Sequence, residues 1–363
     1  MDPYVYEFTA IRGVQAGRAY YVAMCPLRLV TRLFRFDDDE VPAPMRAQRI
    51  LNRSRVPEIA RYVAENPHEY VFSSLCASID GDLEFKPTET QGHLSSVGTL
   101  RISMSSRILI NDGQHRRAAL EEAVKLRPEL GDETISVVLF SDRGLARSQQ
   151  MFADLNIHAI RPTRSLGVLY DHRDRLSEIT RMLINEVSYF RGLTELERTT
   201  ISNRSIKLFT LSSVYQATGE LLGRPGPAPD RAADVRLAAK FWNEVGRWMP
   251  DWQRAAKREV SSAELRRDYV HAHGVTLQAI GIAGNQAISV EPASWPKLLT
   301  KLKNIDWARS NRALWEGRAM IGGRLSKSRN NVVLVANVII SKMGLPLTPE
   351  GEKVESLVTA VST

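Results

Sequence analysis

The chain has 363 residues, 43% apolar and 25% charged, which suits packed cores and excludes an intrinsically disordered chain. Its net charge of +8 favours polyanionic partners, nucleic acid before acidic membrane. Two cysteines, Cys25 and Cys76, exclude a disulfide framework or a cysteine-based zinc site and fit a reducing, bacterial cytoplasmic setting.

The N-terminal Met1-Asp2-Pro3-Tyr4 has no basic or apolar leader pattern. Tyr20–Met24 reads as a strand, with a hairpin turn between Gly13 and Gly17. Asp37–Glu40 reads as an acidic loop. Residues 45–66 read as helical, with Pro57 opening a second helix and Asn66-Pro67 ending it. Tyr70–Ile79 reads as a strand closed by a hairpin turn at Asp80-Gly81-Asp82. Leu100–Ile102, Arg107–Ile110 and Ile135–Phe140 read as further strands. Leu145–Leu155 and Leu166–Asn185 read as single helices. Beyond residue 175 strand signals fade and helices dominate, interrupted by the breaker Gly223–Pro229. Val332–Ile340 is too short to cross a bilayer and reads as a buried helix. The expectation is an α+β chain: a mixed α/β domain over residues 1–170, then a mainly helical domain over 171–363.

The densest chemistry lies at Asp112-Gly113-Gln114-His115-Arg116-Arg117. An apolar strand, Ile108–Ile110, feeds a tight turn and then a helix. Asp112 is the expected N-cap, and Gly113 permits a sharp turn or close approach to a ligand. The first helical turn offers free backbone N–H groups and a positive dipole end, which suit phosphate. Cationic residues there oppose the dipole, an inconsistency that suggests function. The competing reading pairs Arg116 and Arg117 with Glu121, Glu122 or another carboxylate.

The string Asp112–Arg116 resembles the signature of DGQHR-domain proteins, grouped with the ParB/sulfiredoxin-like fold. Phe152–Asn156 and Arg161-Pro162-Thr163 resemble the domain's second block. Gln48-Arg49, Arg61-Tyr62 and Tyr70–Phe72 resemble its N-terminal part. Length and arrangement are most similar to the DndB family of regulators of bacterial DNA phosphorothioation. The resemblance implies a repressor binding double-stranded DNA at its own operon promoter. It also implies phosphate or nucleoside triphosphate contact through Asp112, Gly113, Gln114, His115, Arg116, Asn156 and Arg161. Gln114 stands where sulfiredoxin has its cysteine, which argues against that chemistry.

Lys301–Asn330 carries eight basic and two acidic side chains. Arg309, Arg312, Arg318, Arg324, Lys327 and Arg329, with Arg117, are the candidate DNA contacts. The interleaved Trp307 and Trp315 read as core anchors rather than stacking platforms. Cys25 is a candidate redox or sulfur switch, with a buried inert thiol as its alternative. His271 and His273, two residues apart, would diverge on a helix, and no metal site is expected.

Two function classes lead. One is a DNA-binding repressor, with a homodimer as the default assembly and cysteine desulfurase or DNA-modification proteins as candidate partners. The other is a nucleotide-hydrolysing or DNA-nicking enzyme using His115 with Asp112 or Glu121. A docking subunit of a DNA-modification complex is a third reading.

Overall fold

The computed structural model describes residues 4–34, 53–141, 150–151, 154–155, 162–223 and 230–361. The chain divides into two compact units, residues 1–160 and 161–363.

The first unit is built on β1 (Val5–Gln15), β2 (Arg18–Pro26), β3 (Leu75–Asp80), β4 (Leu83–Pro87), β5 (Val97–Ser103), β6 (Arg107–Asp112) and β7 (Thr134–Ser141). They form one sheet in the order β4-β5-β1-β2-β7-β3-β6. Pairing is antiparallel except between β3 and β7. The β1–β2 hairpin turns at Ala16 and Gly17, both with positive φ (49° and 74°), the twist a two-residue hairpin prefers.

The expected hairpin at Asp80-Gly81-Asp82 does not form. β3 and β4 stand five strand spacings apart in the sheet order, roughly 24 Å if the sheet were flat. A three-residue step spans about 10 Å at most. The sheet must therefore curl until its edges meet at this corner. There Asp82 O accepts from Ser103 N at 3.1 Å, and a Cβ on Gly81 would lie 2.8 Å from Ser106 Cα.

Alternating side chains of these strands meet α1 (Leu27–Leu33) and α3 (Gln114–Leu126) in one core, including Ala77, Ile79, Leu100, Ile102, Ile110, Val137, Val30 and Leu120. α2 (Val56–Glu65) lays Val56 and Ala60 on Ala118 and Ala119 of α3. Tyr70–Ser74 is not strand. The Tyr62 hydroxyl accepts from Val71 N, and the Tyr70 hydroxyl donates to Glu133, so side chains replace the ladder there.

The second unit is helical: α4 (Arg164–Tyr170), α5 (Arg175–Glu186), α6 (Leu211–Leu222), α7 (Arg231–Arg247), α8 (Pro250–Ala256), α9 (Ser262–Asp268), α10 (Gly274–Val290), α11 (Trp295–Leu298), α12 (Arg312–Trp315), α13 (Arg329–Met343) and α14 (Pro349–Val361). The single helix expected over Leu166–Asn185 is two. Asp171 Oδ1 accepts from the N–H groups of Arg173 and Asp174. Asp174 then caps α5 by accepting from Ser177 N. Such Asp side chains offer the backbone an alternative to helix. α6 starts at Leu211, capped by the Thr210 side chain. Phe209–Thr210 pairs with Thr194–Glu195.

α10 packs against α6 so closely that a Cβ on Gly281 would overlap the Ala217 carbonyl. Trp242, Trp252, Trp315, Phe190, Phe209 and Phe241 fill the surrounding core. Val332–Ile340 lies buried within α13, and no helix among the described residues is long and apolar enough to cross a membrane. The architecture is thus an N-terminal mixed sheet with helices, followed by a helical C-terminal region.

Candidate functional site

β6 ends at Asp112, Gly113 takes φ +103°, and α3 begins at Gln114. The N-cap is therefore Gly113, not Asp112, because the left-handed turn falls one residue later than expected. A Cβ here would lie 2.5 Å from Leu75 Cδ2 and 3.3 Å from the Arg116 guanidinium carbon. Only glycine makes this turn without strain.

Arg116 folds back over the turn. Its Nη1 donates to Ser73 O (2.6 Å), Ser73 Oγ (2.7 Å) and Ser74 O (2.6 Å), and its Nη2 to Asp112 Oδ2 (2.7 Å). Arg117 is buried and donates to Glu121 Oε2 (2.6 Å) and Thr31 O (2.7 Å). Both arginines fasten the turn to its surroundings, and Arg117, expected to face DNA, is enclosed. Gln114 is 5% exposed, and its Nε2 has no hydrogen-bond partner among the described residues. His115 is half-buried. The turn thus presents an uncapped helix N-terminus and an unsatisfied amide donor, which suit an anion.

Sequence reasoning missed Cys76 here. It pairs with Asp112 across an irregular step in the β3–β6 ladder, the kind of bulge that re-aims side chains beside functional sites. Burial and the Asp112 charge push its thiol up to about 12. Cys25 is 1% exposed, and burial pushes its thiol up to about 12 as well. Neither is the accessible thiolate that a sulfur or redox switch needs. Asn156 and Arg161, like Gln48-Arg49 and the Phe152-Ala153 block, lie outside the described residues.

The basic segment divides. Trp307 and Trp315 stack at 5.5 Å in the core. Arg318 pairs with Glu355, and Arg329 with Glu220 and Glu350, so their charges are neutralised inside the unit. Arg309, Arg312, Arg324 and Lys327 remain, the first three gathered around the two-residue turn Gly322–Gly323 between Met320–Ile321 and Arg324–Leu325. Arg309 Nη2 donates to Gly323 O at 3.1 Å. Arg312 Nη2 would lie 3.6 Å from a Cβ on Gly323. Arg312 and Arg324 are exposed, and no carboxylate lies within ion-pair reach of either among the described residues. The Glu316 carboxylate at this turn accepts from Gly323 N.

Arg309 and Lys327 also line a cavity of about 710 Å³ in the helical unit, together with Arg266, Arg267 and His273. Its residues are scattered over more than a hundred positions, and no local motif announces it. His271 and His273 precede α10 instead of lying on it. His271 accepts from Trp252 Nε1 and shares a hydrogen bond with Asp251. His273 is the N-cap of α10. No group of three or more metal-ligating side chains occurs among the described residues.

Neither the curated proteins nor the solved structures yielded a match. The family model DndB, DNA-sulfur modification-associated, matches residues 8–346. That match spans nearly the whole chain, the curled sheet with its Asp112–Arg116 turn and most of the helical unit alike, and the chain belongs to the DndB family.

Proposed function

We propose that this protein is a DNA-binding transcriptional repressor of a DNA phosphorothioation gene cluster. The observation that carries the reading is the gathering of Arg309, Arg312 and Arg324 around Gly322–Gly323. The exposed guanidinium groups of Arg312 and Arg324, beside the half-buried Arg309, suit duplex phosphates, and glycines let backbone approach closely. The net charge of +8 adds long-range attraction. The start of α3, with Gly113, Gln114 and His115, is a second phosphate seat in this reading. Arg116 holds its shape without touching the phosphate. Family membership supports the DNA-sulfur context, and the resemblance supports repression at the protein's own promoter. A dimer would meet two half-sites.

The test is a gel shift on the DNA upstream of the protein's own gene cluster against a scrambled duplex, with nucleotide turnover measured in parallel. A specific shift at moderate salt is expected. Absence of that shift, with turnover lost in His115→Ala, would overturn the repressor reading in favour of an enzyme.

A further inference from the structure

The cavity bordered by Arg309 and Lys327 has a charge pattern that the fold alone does not require. Four cations line it, Arg266, Arg267, Arg309 and Lys327, against one carboxylate, Glu264. Glu264 belongs to the capping box of α9 and is bonded to Ser261, and Arg267 is engaged with Asp268. The other three cations have neutral partners. Arg266 donates to the carbonyls of Lys207, Ser202 and Ser205. Arg309 donates to the carbonyls of Arg267 and Gly323. Lys327 Nζ donates to Gln216 Oε1 at 2.6 Å.

The placement of Lys327 is the least expected. Its Nζ would stand 2.9 Å from a Cβ on Gly274, the first residue of α10. That is the positive end of a 17-residue helix whose N-terminus has no side-chain cap. Burial of the ammonium and the nearby Arg164 charge push Lys327 down to about 8. Residue exposure is nonetheless substantial, so the amine is reachable from solvent. His273 Nε2 lies 2.7 Å from Arg266 O. Burial pushes this imidazole down to about 4, so it is neutral and its Nε2–H donates a hydrogen bond to that carbonyl. Leu208 and Phe209 supply an apolar wall.

A cation pressed against a helix N-terminus and other cations is electrostatically unfavourable unless an anion joins them. We propose that this cavity binds a small phosphate ester, its phosphate groups between Lys327, Arg309 and the start of α10 and its organic part against Phe209. The volume of about 710 Å³ is that of a small-molecule site. The proposal does not depend on DNA binding or on the α3 turn.

The test uses the full chain with sodium pyrophosphate, ATP and a short duplex as separate probes. Lys327 is acylated with a water-soluble amine reagent, and its modification is read by mass spectrometry at constant ionic strength. ATP and pyrophosphate are expected to protect Lys327. Lys327→Gln should weaken ATP binding about tenfold, the loss of one charge-assisted contact, with an unchanged circular dichroism spectrum, and His115→Ala should not weaken it. Equal acylation at saturating ATP and pyrophosphate, or protection by the duplex alone, would overturn the proposal.

Discussion

Asp112 and Arg116, which bracket the turn between β6 and α3, hold each other at 2.7 Å, and Arg116 also serves the carbonyls of Ser73 and Ser74. One guanidinium thus bridges two stretches of chain. Arg116→Ala should lower stability by about 1 kcal/mol, because the half-buried Ser74 carbonyl loses its donor while Ser73 is exposed and Asp112 partly solvated. Arg116→Lys should recover little, since an ammonium cannot match that fork of acceptors. Urea midpoints decide it; a midpoint unchanged in both variants would contradict the clamp.

Gly113→Ala combines φ +103° with a methyl 2.5 Å from Leu75 Cδ2. A loss of at least about 2 kcal/mol is expected. Thermal melts of the full chain measure it.

The two kinds of arginine in the basic segment should separate cleanly. Arg312→Ala with Arg324→Ala should leave the urea midpoint unchanged and weaken all duplexes alike. The salt dependence of DNA binding should become shallower by about two in slope. Arg318→Ala breaks the pair with Glu355 and should cost about 1–2 kcal/mol of stability, with little effect on that slope. Reversed behaviour would show that the exposed turn is not the DNA face.

Stability should depend on pH through His271 and His273. Burial lowers both below the usual 6.5, His273 to about 4. The folded chain keeps them neutral while the unfolded chain protonates them near pH 6.5. The unfolded state therefore binds more protons below that point, and their contribution, full above about 6.5, is lost as pH falls toward 4. Asp251 titrates below its usual range because His271 hydrogen-bonds it, so its contribution is lost only at lower pH. The groups facing His273 with charge are Arg266 and Arg309. His273 alone should cost about 1 kcal/mol between pH 7.5 and 5.5, with His271 acting in the same direction, a loss followed by tryptophan fluorescence through Trp252. His273→Gln should flatten the dependence; a parallel curve would remove His273 from the account.

Neither thiol should react in the native chain. Cys25 and Cys76 are buried with their thiols held protonated, so labelling by a chromogenic disulfide should wait for global unfolding. Rapid labelling of Cys25 at neutral pH would restore it as a switch.

The sequence made local features visible and hid those that depend on distant chain. Alternation located β2, β5, β6 and β7, and the apolar run at Val332–Ile340 located α13, because burial patterns follow element period. The strand–turn–helix at Gly113 was legible from residue types alone. The destination of Arg116 was not, since Ser73 and Ser74 lie some forty residues earlier. The turn at Gly81 looked like a hairpin because local chemistry cannot distinguish a hairpin from a link between strands that are distant in the sheet order. Pairing of Arg318 and Arg329 depends on Glu220, Glu350 and Glu355, distant partners that turn an apparently uniform basic stretch into a small exposed cluster.

The strand order has a consequence for synthesis. Among the described residues, β7 alone joins β3-β6 to β4-β5-β1-β2, and it is the last of these seven strands to leave the ribosome. Until residues 134–141 emerge, the nascent first unit is two separate sheet fragments whose inner edges lack a neighbour. The turn at Gly113 is translated before that closure, so the sheet beside it is completed only after the turn itself has been made. Pauses in translation shortly before Thr134 would prolong the interval in which those edges can pair with another chain.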